Sequence, residues 1–337
     1  MRFCAGRRTL GWGAGAELDN DKVAGEDESK LMQAGRLEIA EEIGRAVGQT
    51  LIVSGAARSG TTIVGKLVYS LADIEYLFEP PLLFGLIPQI GELPEANWKL
   101  LFETYLFEDF LVDAVAGRRV NLNHHDDSSI YGAKSAAEVE GRLARSWRKT
   151  EAYERARDRR IAFKMPDILP YVGLLQAYYP SIEVVVTLRQ PETLIASLLR
   201  KGWFNEASLE RRVEIWPFRL RDGRNVPFFV PAADESRWIT AEPIEKCCLY
   251  YTWMYGAAAG LKGIRLVDYD RLIRQPAAAL DQLLAQLSLE RGTLTGEILA
   301  QIDYQPTSSK IVLQGVDADL LRQVRDVYGT CLARCIP

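Results

Sequence analysis

The sequence has few of the residues that hold metal ions or disulfide frameworks. It contains two histidines, His124 and His125, and five cysteines, none of them in C-x-x-C spacing. An odd number of cysteines without that spacing is typical of reduced, structural thiols. No cluster of His, Cys and Asp has the spacing of a metal-ligand set. We therefore expect no metal site, and we expect the protein to be cytoplasmic.

Long apolar runs are also missing. No stretch approaches the roughly 18 apolar residues that a membrane-spanning helix requires. In residues 1–30, glycines and Glu17 interrupt any apolar core of the kind found in export signals. Because residues 11–30 are rich in Gly, Asp and Glu, we expect a mobile N-terminal tail over residues 1–35. Translation from Met32 is an alternative start.

Positive charge is not in excess. The 45 Asp and Glu residues outnumber the 41 Lys and Arg residues, which gives a formal net charge of −4. Nucleic-acid-binding proteins are usually basic, so we expect no nucleic-acid partner. A chain of 337 residues with an ordinary apolar content can bury a large core. A basic pocket within such an acidic protein would suit a small anionic ligand.

The most informative stretch is residues 50–69, TLIVSGAARSGTTIVGKLVY. It predicts a strand, a turn bracketed by Gly55 and Gly60, and a helix in immediate succession. The backbone N–H groups of such a loop and the positive end of the helix together bind phosphate or sulfate. A Walker A loop has lysine directly after its second glycine. Here Thr61 takes that position, and the cation of the loop is Arg58.

Strands and helices alternate along the rest of the chain. Apolar patterns predict strands at 51–53, 74–78, 161–163, 182–188 and 264–267, and helices at 37–47, 98–115, 136–160, 168–178, 192–201, 243–259, 276–287 and 317–335. The alternation predicts an α/β fold, with a P-loop-like parallel sheet flanked by helices on both faces. We expect a single domain over residues 36–337.

Residues 203–240 break this pattern. Aromatic residues alternate there with arginines and with four helix or strand breakers, Pro217, Gly223, Pro227 and Pro231. A long irregular segment inside a compact domain is usually functional. We expect an irregular lid or acceptor-binding segment at 203–240.

Four charged residues follow predicted strands, namely Arg58, Glu79, Lys164 and Arg189. Open parallel sheets bind ligands at the carboxyl ends of their strands, so these side chains are expected to meet at one edge. Three cations, one carboxylate and two helix N-termini would suit transfer of a charged group from a nucleotide to an acceptor.

Two separated motifs resemble those of sulfotransferases that use 3′-phosphoadenosine 5′-phosphosulfate (PAPS). The loop ARSGTT, residues 57–62, resembles the family's 5′-phosphosulfate loop, a basic residue followed by Ser-Gly-Thr-Thr. The run TLRQPETLIAS, residues 187–197, resembles its 3′-phosphate element, in which an arginine is followed eight positions later by a serine. A coarser likeness extends through residues 265–287, so the resemblance covers about residues 50–287.

The resemblance implies roles for individual residues. Family members that modify carbohydrates or tyrosine, together with many bacterial members, use a glutamate after the second strand as the base, and Glu79 fits that position. Lys164 would assist the sulfuryl group, while Pro166 stands where cytosolic members have a histidine. Ile63 replaces the family's adenine-stacking tryptophan. The 3′-phosphate would be held by Arg189 and Ser197, and the 5′-phosphosulfate by Arg58, Ser59, Gly60, Thr61 and Thr62.

The resemblance therefore implies a PAPS-dependent sulfotransferase that acts on a hydroxyl or amine of a small molecule or glycan. Its second product would be adenosine 3′,5′-bisphosphate. Two alternatives stay open: a P-loop kinase-like phosphotransferase, against which the missing lysine after Gly60 counts, and a non-catalytic nucleotide-binding module. His124 or His125 is the alternative base, and Ser308, Ser309 and Lys310 are expected to lie in a solvated loop.

Overall fold

The computed structural model describes residues 39–211, 217–302, 313 and 315–336. The predicted tail at 1–35, the alternative start at Met32 and the predicted solvated loop at 308–310 lie outside these residues. No helix within the described ranges is both long enough and apolar enough to cross a bilayer.

Seven strands occur in the described residues: β1 (Leu51–Gly55), β2 (Ile74–Phe78), β3 (Arg160–Lys164), β4 (Glu183–Leu188), β5 (Phe218–Arg221), β6 (Arg224–Pro227) and β7 (Ile264–Asp268). Five of them form a parallel sheet in the order β2-β3-β1-β4-β7, and β5 and β6 form a separate antiparallel hairpin. In the parallel register, Val53 lies beside Lys164 and Val185. The carboxyl ends of neighbouring strands therefore lie at the same edge of the sheet.

The α-helices of the same ranges are α1 (Glu41–Gly48), α2 (Thr61–Tyr69), α3 (Pro81–Leu86), α4 (Glu95–Glu103), α5 (Val112–Val115), α6 (Ala136–Leu143), α7 (Lys149–Arg157), α8 (Val172–Tyr178), α9 (Pro191–Lys201), α10 (Glu206–Arg211), α11 (Glu235–Thr240), α12 (Pro243–Gly260), α13 (Tyr269–Arg274), α14 (Pro276–Leu287), α15 (Thr295–Ala300) and α16 (Ala318–Leu332). A π-helical stretch, Thr104–Leu111, joins α4 to α5.

The sheet is buried on both faces because most residues of its strands are apolar and their side chains point to either face. Successive side chains of a strand point to opposite faces. Ile52 of β1 accordingly lies in a core cluster that includes side chains of α4, α8, α12 and α16, while Leu51 and Val53 lie in a second cluster with α2 and α14. The predicted α/β fold, with a parallel sheet between two helical layers, is confirmed.

The prediction of one helix over 136–160 is wrong, because the chain forms α6 and α7 with a break between them. Arg142, in the last turn of α6, is directed inward to Glu75 of β2. The Trp147 indole donates to the Arg142 carbonyl at 3.0 Å, which occupies the acceptor that a further helical turn would use. Glu151 then accepts from the backbone N–H of Arg148, and α7 begins at Lys149.

The segment 203–240 is more regular than predicted, since its described residues include α10, the β5–β6 hairpin and α11. The hairpin turns at Asp222 and Gly223, whose φ angles are 50° and 75°. An Asp-Gly pair with positive φ at both positions is the turn that best matches the twist of two antiparallel strands. The glycine that was interpreted as a breaker therefore belongs to a two-residue hairpin turn.

Candidate active site

A pocket of about 600 Å³ lies at the carboxyl edge of the parallel sheet. Each strand of that sheet supplies at least one lining residue, at its end or directly after it. These residues are Ala57 and Arg58 after β1, Glu79 after β2, Lys164 at the end of β3, Arg189 after β4 and Tyr269 after β7. All four charged residues that the sequence places at strand ends therefore line one pocket.

The loop between β1 and α2 has little room for larger residues. Gly60 precedes α2 with a φ of 99°, and a Cβ at this position would lie 2.1 Å from Cδ2 of Tyr269. Only glycine allows the loop and the Tyr269 ring to approach this closely. The backbone at the N-terminus of α2 can therefore reach the pocket directly.

The residues predicted to hold the 5′-phosphosulfate divide into two groups. Four of them line the pocket: Arg58, Gly60, Thr61 and Thr62. The fifth, Ser59, is fully buried, and its hydroxyl lies 2.5 Å from that of Thr187 on β4. The Ser59 side chain thus ties the loop to the neighbouring strand.

The two predicted phosphate-binding elements touch each other. Nε of Arg58 donates to Oγ of Ser197 at 3.3 Å, and Arg189 donates to the backbone carbonyl of Arg58 at 2.9 Å. The guanidinium of Arg189 also lies 4.9 Å from the centre of the Tyr269 ring. Ser197 is buried and does not itself line the pocket. The loop after β1 is thus bonded both to Arg189, which follows β4, and to Ser197 of α9, and the two arginines line the pocket.

Glu79 and Lys164 form an ion pair in the pocket. The backbone N–H of Glu79 donates to the carbonyl of Lys164 at 2.9 Å, which places the two residues side by side at the ends of β2 and β3. The Lys164 side chain is only 4% exposed, whereas that of Glu79 is 36% exposed. The carboxylate therefore faces the open part of the pocket, and the ammonium lies beneath it.

Three non-glycine residues of the pocket have positive φ angles: Arg58 at 69°, Glu79 at 45° and Asp167 at 70°. Backbone of this kind costs about 1–3 kcal/mol per residue and persists where the surrounding structure enforces it. Such residues cluster at functional sites. The pocket therefore contains backbone that is held in place by its neighbours.

Asp167 was not selected from the sequence. It follows Lys164 by three residues in KMPD, and its backbone N–H donates to the carbonyl of Gly55 at 3.1 Å. Its Oδ1 accepts from the N–H of Ala57 at 3.2 Å and from the hydroxyl of Tyr250. Burial raises the pKa of the Asp167 carboxyl to about 7, and these two hydrogen bonds partly oppose the rise. An acidic residue shortly after a strand-end lysine was the only signal available.

Aromatic side chains line the side of the pocket near Glu79. Phe84 of α3 packs edge-on against Phe228 with ring centres 6.4 Å apart. The segment 203–240 contributes three of the lining residues, Trp203, Phe204 and Phe228. The Trp203 ring also lies 5.9 Å from the Arg58 guanidinium. This segment therefore forms a wall of the pocket.

The two histidines lie elsewhere. Both are exposed, and His124 stacks on Tyr131 with ring centres 4.0 Å apart. Neither lines the pocket. Within the described ranges, no three or more His, Cys, Asp or Glu residues are arranged to hold a metal ion.

The sequence model of the Sulfotransferase family matches residues 50–224. Among solved structures, sulfotransferase STF1 from Mycobacterium tuberculosis H37Rv is 16% identical over 86% of this chain and 78% of its own, with a TM-score of 0.39. The sulfotransferase from Alicyclobacillus acidocaldarius is 17% identical over 84% and 92%, with a TM-score of 0.38. The sulfotransferase domain of the Synechococcus PCC 7002 olefin synthase is 11% identical over 86% and 95%, with a TM-score of 0.41. No curated protein matches the chain.

The three solved structures are 11% to 17% identical to this chain. The family match is different, because it spans more than half of the 337 residues and includes both the loop after β1 and the start of α9. The chain belongs to the sulfotransferase family.

Proposed function

We propose that this protein transfers a sulfuryl group from PAPS to a hydroxyl group and releases adenosine 3′,5′-bisphosphate. The contact between the two predicted phosphate-binding elements carries the proposal. Arg58 lies in the first element and contacts Ser197 of the second, while Arg189 is bonded to the Arg58 backbone. PAPS, which carries a 5′-phosphosulfate and a 3′-phosphate, has one anionic group for each element.

The loop and α2 would stabilise the transferring group. Sulfuryl transfer passes through a planar SO3 group between the acceptor oxygen and the departing phosphate oxygen, so donors are needed where negative charge develops. Arg58, Thr61 and Thr62 line the pocket at the N-terminus of α2, whose dipole adds favourable potential. Tyr269, which contacts the loop at Gly60, would form a wall for the nucleoside.

Glu79 would act as the base. It would take the acceptor's proton while the acceptor oxygen forms a bond to sulfur and the bond from sulfur to the phosphate oxygen breaks. The ion pair with Lys164 holds the carboxylate in one place beside the pocket, and the buried ammonium would also attract the sulfuryl oxygens. This arrangement gives the proton, the sulfuryl group and the leaving phosphate separate partners.

The aromatic residues near Glu79 favour an acceptor with an apolar or aromatic body over a glycan. A sugar has many hydroxyl groups that require polar partners once they leave water. Apart from its partner Lys164, the pocket lining near Glu79 includes the apolar residues Phe78, Pro81, Phe84 and Phe228. We therefore propose a small hydroxyl compound whose apolar part packs against these side chains.

Replacement of Phe84 by asparagine is expected to raise KM for an apolar acceptor about tenfold and to leave the Kd for the bisphosphate unchanged. The reason is the loss of apolar contact, since one such change in a hydrophobic site is worth about 1–3 kcal/mol. The control is Leu82→Asn on the same helix, because Leu82 is 50% exposed and does not line the pocket. Equal effects of the two variants would contradict this acceptor assignment.

Calorimetry distinguishes the proposal from the two alternatives. We expect tight binding of adenosine 3′,5′-bisphosphate with and without magnesium, because the predicted contacts are arginine, serine, threonine and backbone groups. A preference for ATP with magnesium would favour a kinase-like phosphotransferase instead. Transfer of labelled sulfate from PAPS to an acceptor then separates an enzyme from a binding module, which would bind the bisphosphate and transfer nothing.

A further inference from the structure

Asp167 connects the floor of the pocket to the start of the phosphosulfate loop. Its Oδ1 accepts hydrogen bonds from the Ala57 N–H at 3.2 Å and from the Tyr250 hydroxyl, which itself accepts from the same N–H. Asp167 is 8% exposed and lines the same pocket as Arg58 and Thr61. A buried carboxyl therefore lies at the point where the loop leaves β1.

The groups that face Asp167 come from several elements of the fold. Tyr250 of α12 and Ala57 of the loop donate hydrogen bonds to it, Glu79 after β2 adds negative charge, and Lys164 of β3 adds positive charge. Lys164 is already paired with Glu79. Burial is the largest influence and raises the pKa of Asp167 to about 7. Near neutral pH the carboxyl is thus divided between its two protonation states.

We propose that Asp167 is a positioning residue that holds the first amide of the phosphosulfate loop and takes up a proton when an anion enters the pocket. The inference rests on the proposed function, because it requires a phosphate or phosphosulfate in the loop. The anion would bring negative charge into a partly desolvated pocket that already contains the Asp167 carboxylate. A nearby like charge favours the neutral form of a carboxyl group. Protonation removes this repulsion and leaves Oδ1 as an acceptor for Ala57.

The sign of the pH dependence follows from this linkage. Below about pH 7 the carboxyl is already protonated, so binding takes up few protons. Above that pH the free protein has lost the proton and the complex regains it, so affinity falls by up to about tenfold per pH unit. Binding of the bisphosphate should therefore weaken between pH 7 and pH 9.

The test measures proton uptake by titration calorimetry with adenosine 3′,5′-bisphosphate at pH 8. Titrations in two buffers with different ionisation enthalpies give the number of protons bound. Phosphate groups with a second pKa of about 6 are deprotonated at this pH, so they supply little of the signal. We expect an uptake of about 0.5–1 proton in the wild-type protein.

Asp167→Asn is the matched variant, because asparagine keeps the acceptor oxygen and tolerates positive φ. We expect no proton uptake, nearly constant affinity from pH 7 to pH 9, and binding about tenfold tighter than wild type near pH 8–9. Asp167→Ala removes the acceptor as well as the charge, so it should weaken binding below about pH 7, where the wild-type carboxyl is already neutral. If Asp167 had a purely structural role, both variants would bind the bisphosphate more weakly to a similar extent. Their affinity would then depend on pH in the same way as that of the wild type.

Equal proton uptake in the wild type and Asp167→Asn would overturn the inference, as would a wild-type uptake of zero with normal binding. Either result would leave the proposed function intact. Absence of bisphosphate binding in the folded wild-type protein would instead remove the proposed function. If Asp167→Asn does not fold, Tyr250→Phe provides the test. Loss of its hydrogen bond to the carboxylate should move the midpoint of the affinity profile to higher pH, and an unchanged midpoint would count against Asp167.

Discussion

Replacement of Glu79 by glutamine is expected to slow sulfuryl transfer by about 10²- to 10⁴-fold, the usual contribution of a general base. Glutamine has nearly the same shape but cannot accept the acceptor's proton. The Kd for adenosine 3′,5′-bisphosphate should stay within about twofold, since the phosphate contacts come from the loop and α9. The measurement is labelled sulfate transfer under saturating PAPS, with bisphosphate calorimetry on the same preparation.

The control for Glu79→Gln is a glutamate that lies outside the pocket. Glu92→Gln changes an exposed glutamate outside the pocket and should leave the rate unchanged. Glu79→Gln removes the charged partner of Lys164, whose side chain is only 4% exposed. Retained bisphosphate binding is therefore needed to show that this variant is folded. Near-normal turnover would exclude Glu79 as the base. Asp167 would then be the next carboxyl to test, ahead of His124 and His125, because it lines the pocket.

The five strands of the parallel sheet could be predicted from the sequence because both faces of that sheet are buried. In β4, the run Val184, Val185 and Val186 presents β-branched side chains to both faces, which is typical of a strand in a buried parallel sheet. The positions of Arg58, Glu79, Lys164 and Arg189 then followed from one rule, that the ends of parallel strands share an edge. Their common pocket is a consequence of the strand order β2-β3-β1-β4-β7.

The features that could not be predicted from the sequence depend on contacts between residues that are distant in the sequence. Asp167 acquires its environment from Tyr250, which is 83 positions away, and a local pattern does not show which tyrosine reaches it. The break after α6 likewise depends on Arg142 turning toward Glu75 of β2, 67 positions earlier. In the segment 203–240, Gly223 was interpreted as a breaker, because the prolines and arginines around it gave no alternating strand pattern.

Three of the residues proposed for binding or catalysis have a backbone conformation that few residues other than glycine adopt. Arg58, Glu79 and Asp167 have positive φ, and each lies between a strand end and the element that follows. The amide of Ala57 next to Arg58 is bonded to Asp167, and the amide of Glu79 is bonded to the carbonyl of Lys164. The cationic loop, the base and the buried carboxyl are thus positioned by hydrogen bonds of the same sheet edge.

The largest loss of stability is expected when the buried ion pair between Arg142 and Glu75 of β2 is broken. Arg142 donates to both carboxylate oxygens of Glu75 at 2.8 Å, and both side chains are 1% exposed. Arg142 also donates to the carbonyl of Ala114 and to the carboxylate of Glu138. One guanidinium therefore joins β2, α5 and α6.

Arg142→Met is expected to lower the free energy of unfolding by about 3–5 kcal/mol, because it leaves the Glu75 carboxylate buried without its partner. Urea unfolding measures the loss. The control is Glu154→Gln, which breaks an exposed pair with Arg157 and should cost less than about 1 kcal/mol. Replacing both partners, as Glu75→Leu with Arg142→Met, should recover most of the loss, since no unpaired charge then stays buried.

The comparison of the single and double variants decides the cause. If the double variant is as unstable as Arg142→Met alone, lost packing rather than an uncompensated charge explains the effect. Glu75 lies on β2, four residues before Glu79, but neither Glu75 nor Arg142 lines the pocket. Below its own unfolding transition, Arg142→Met should therefore bind the bisphosphate with wild-type affinity, which separates the stability of the sheet from the chemistry at its edge.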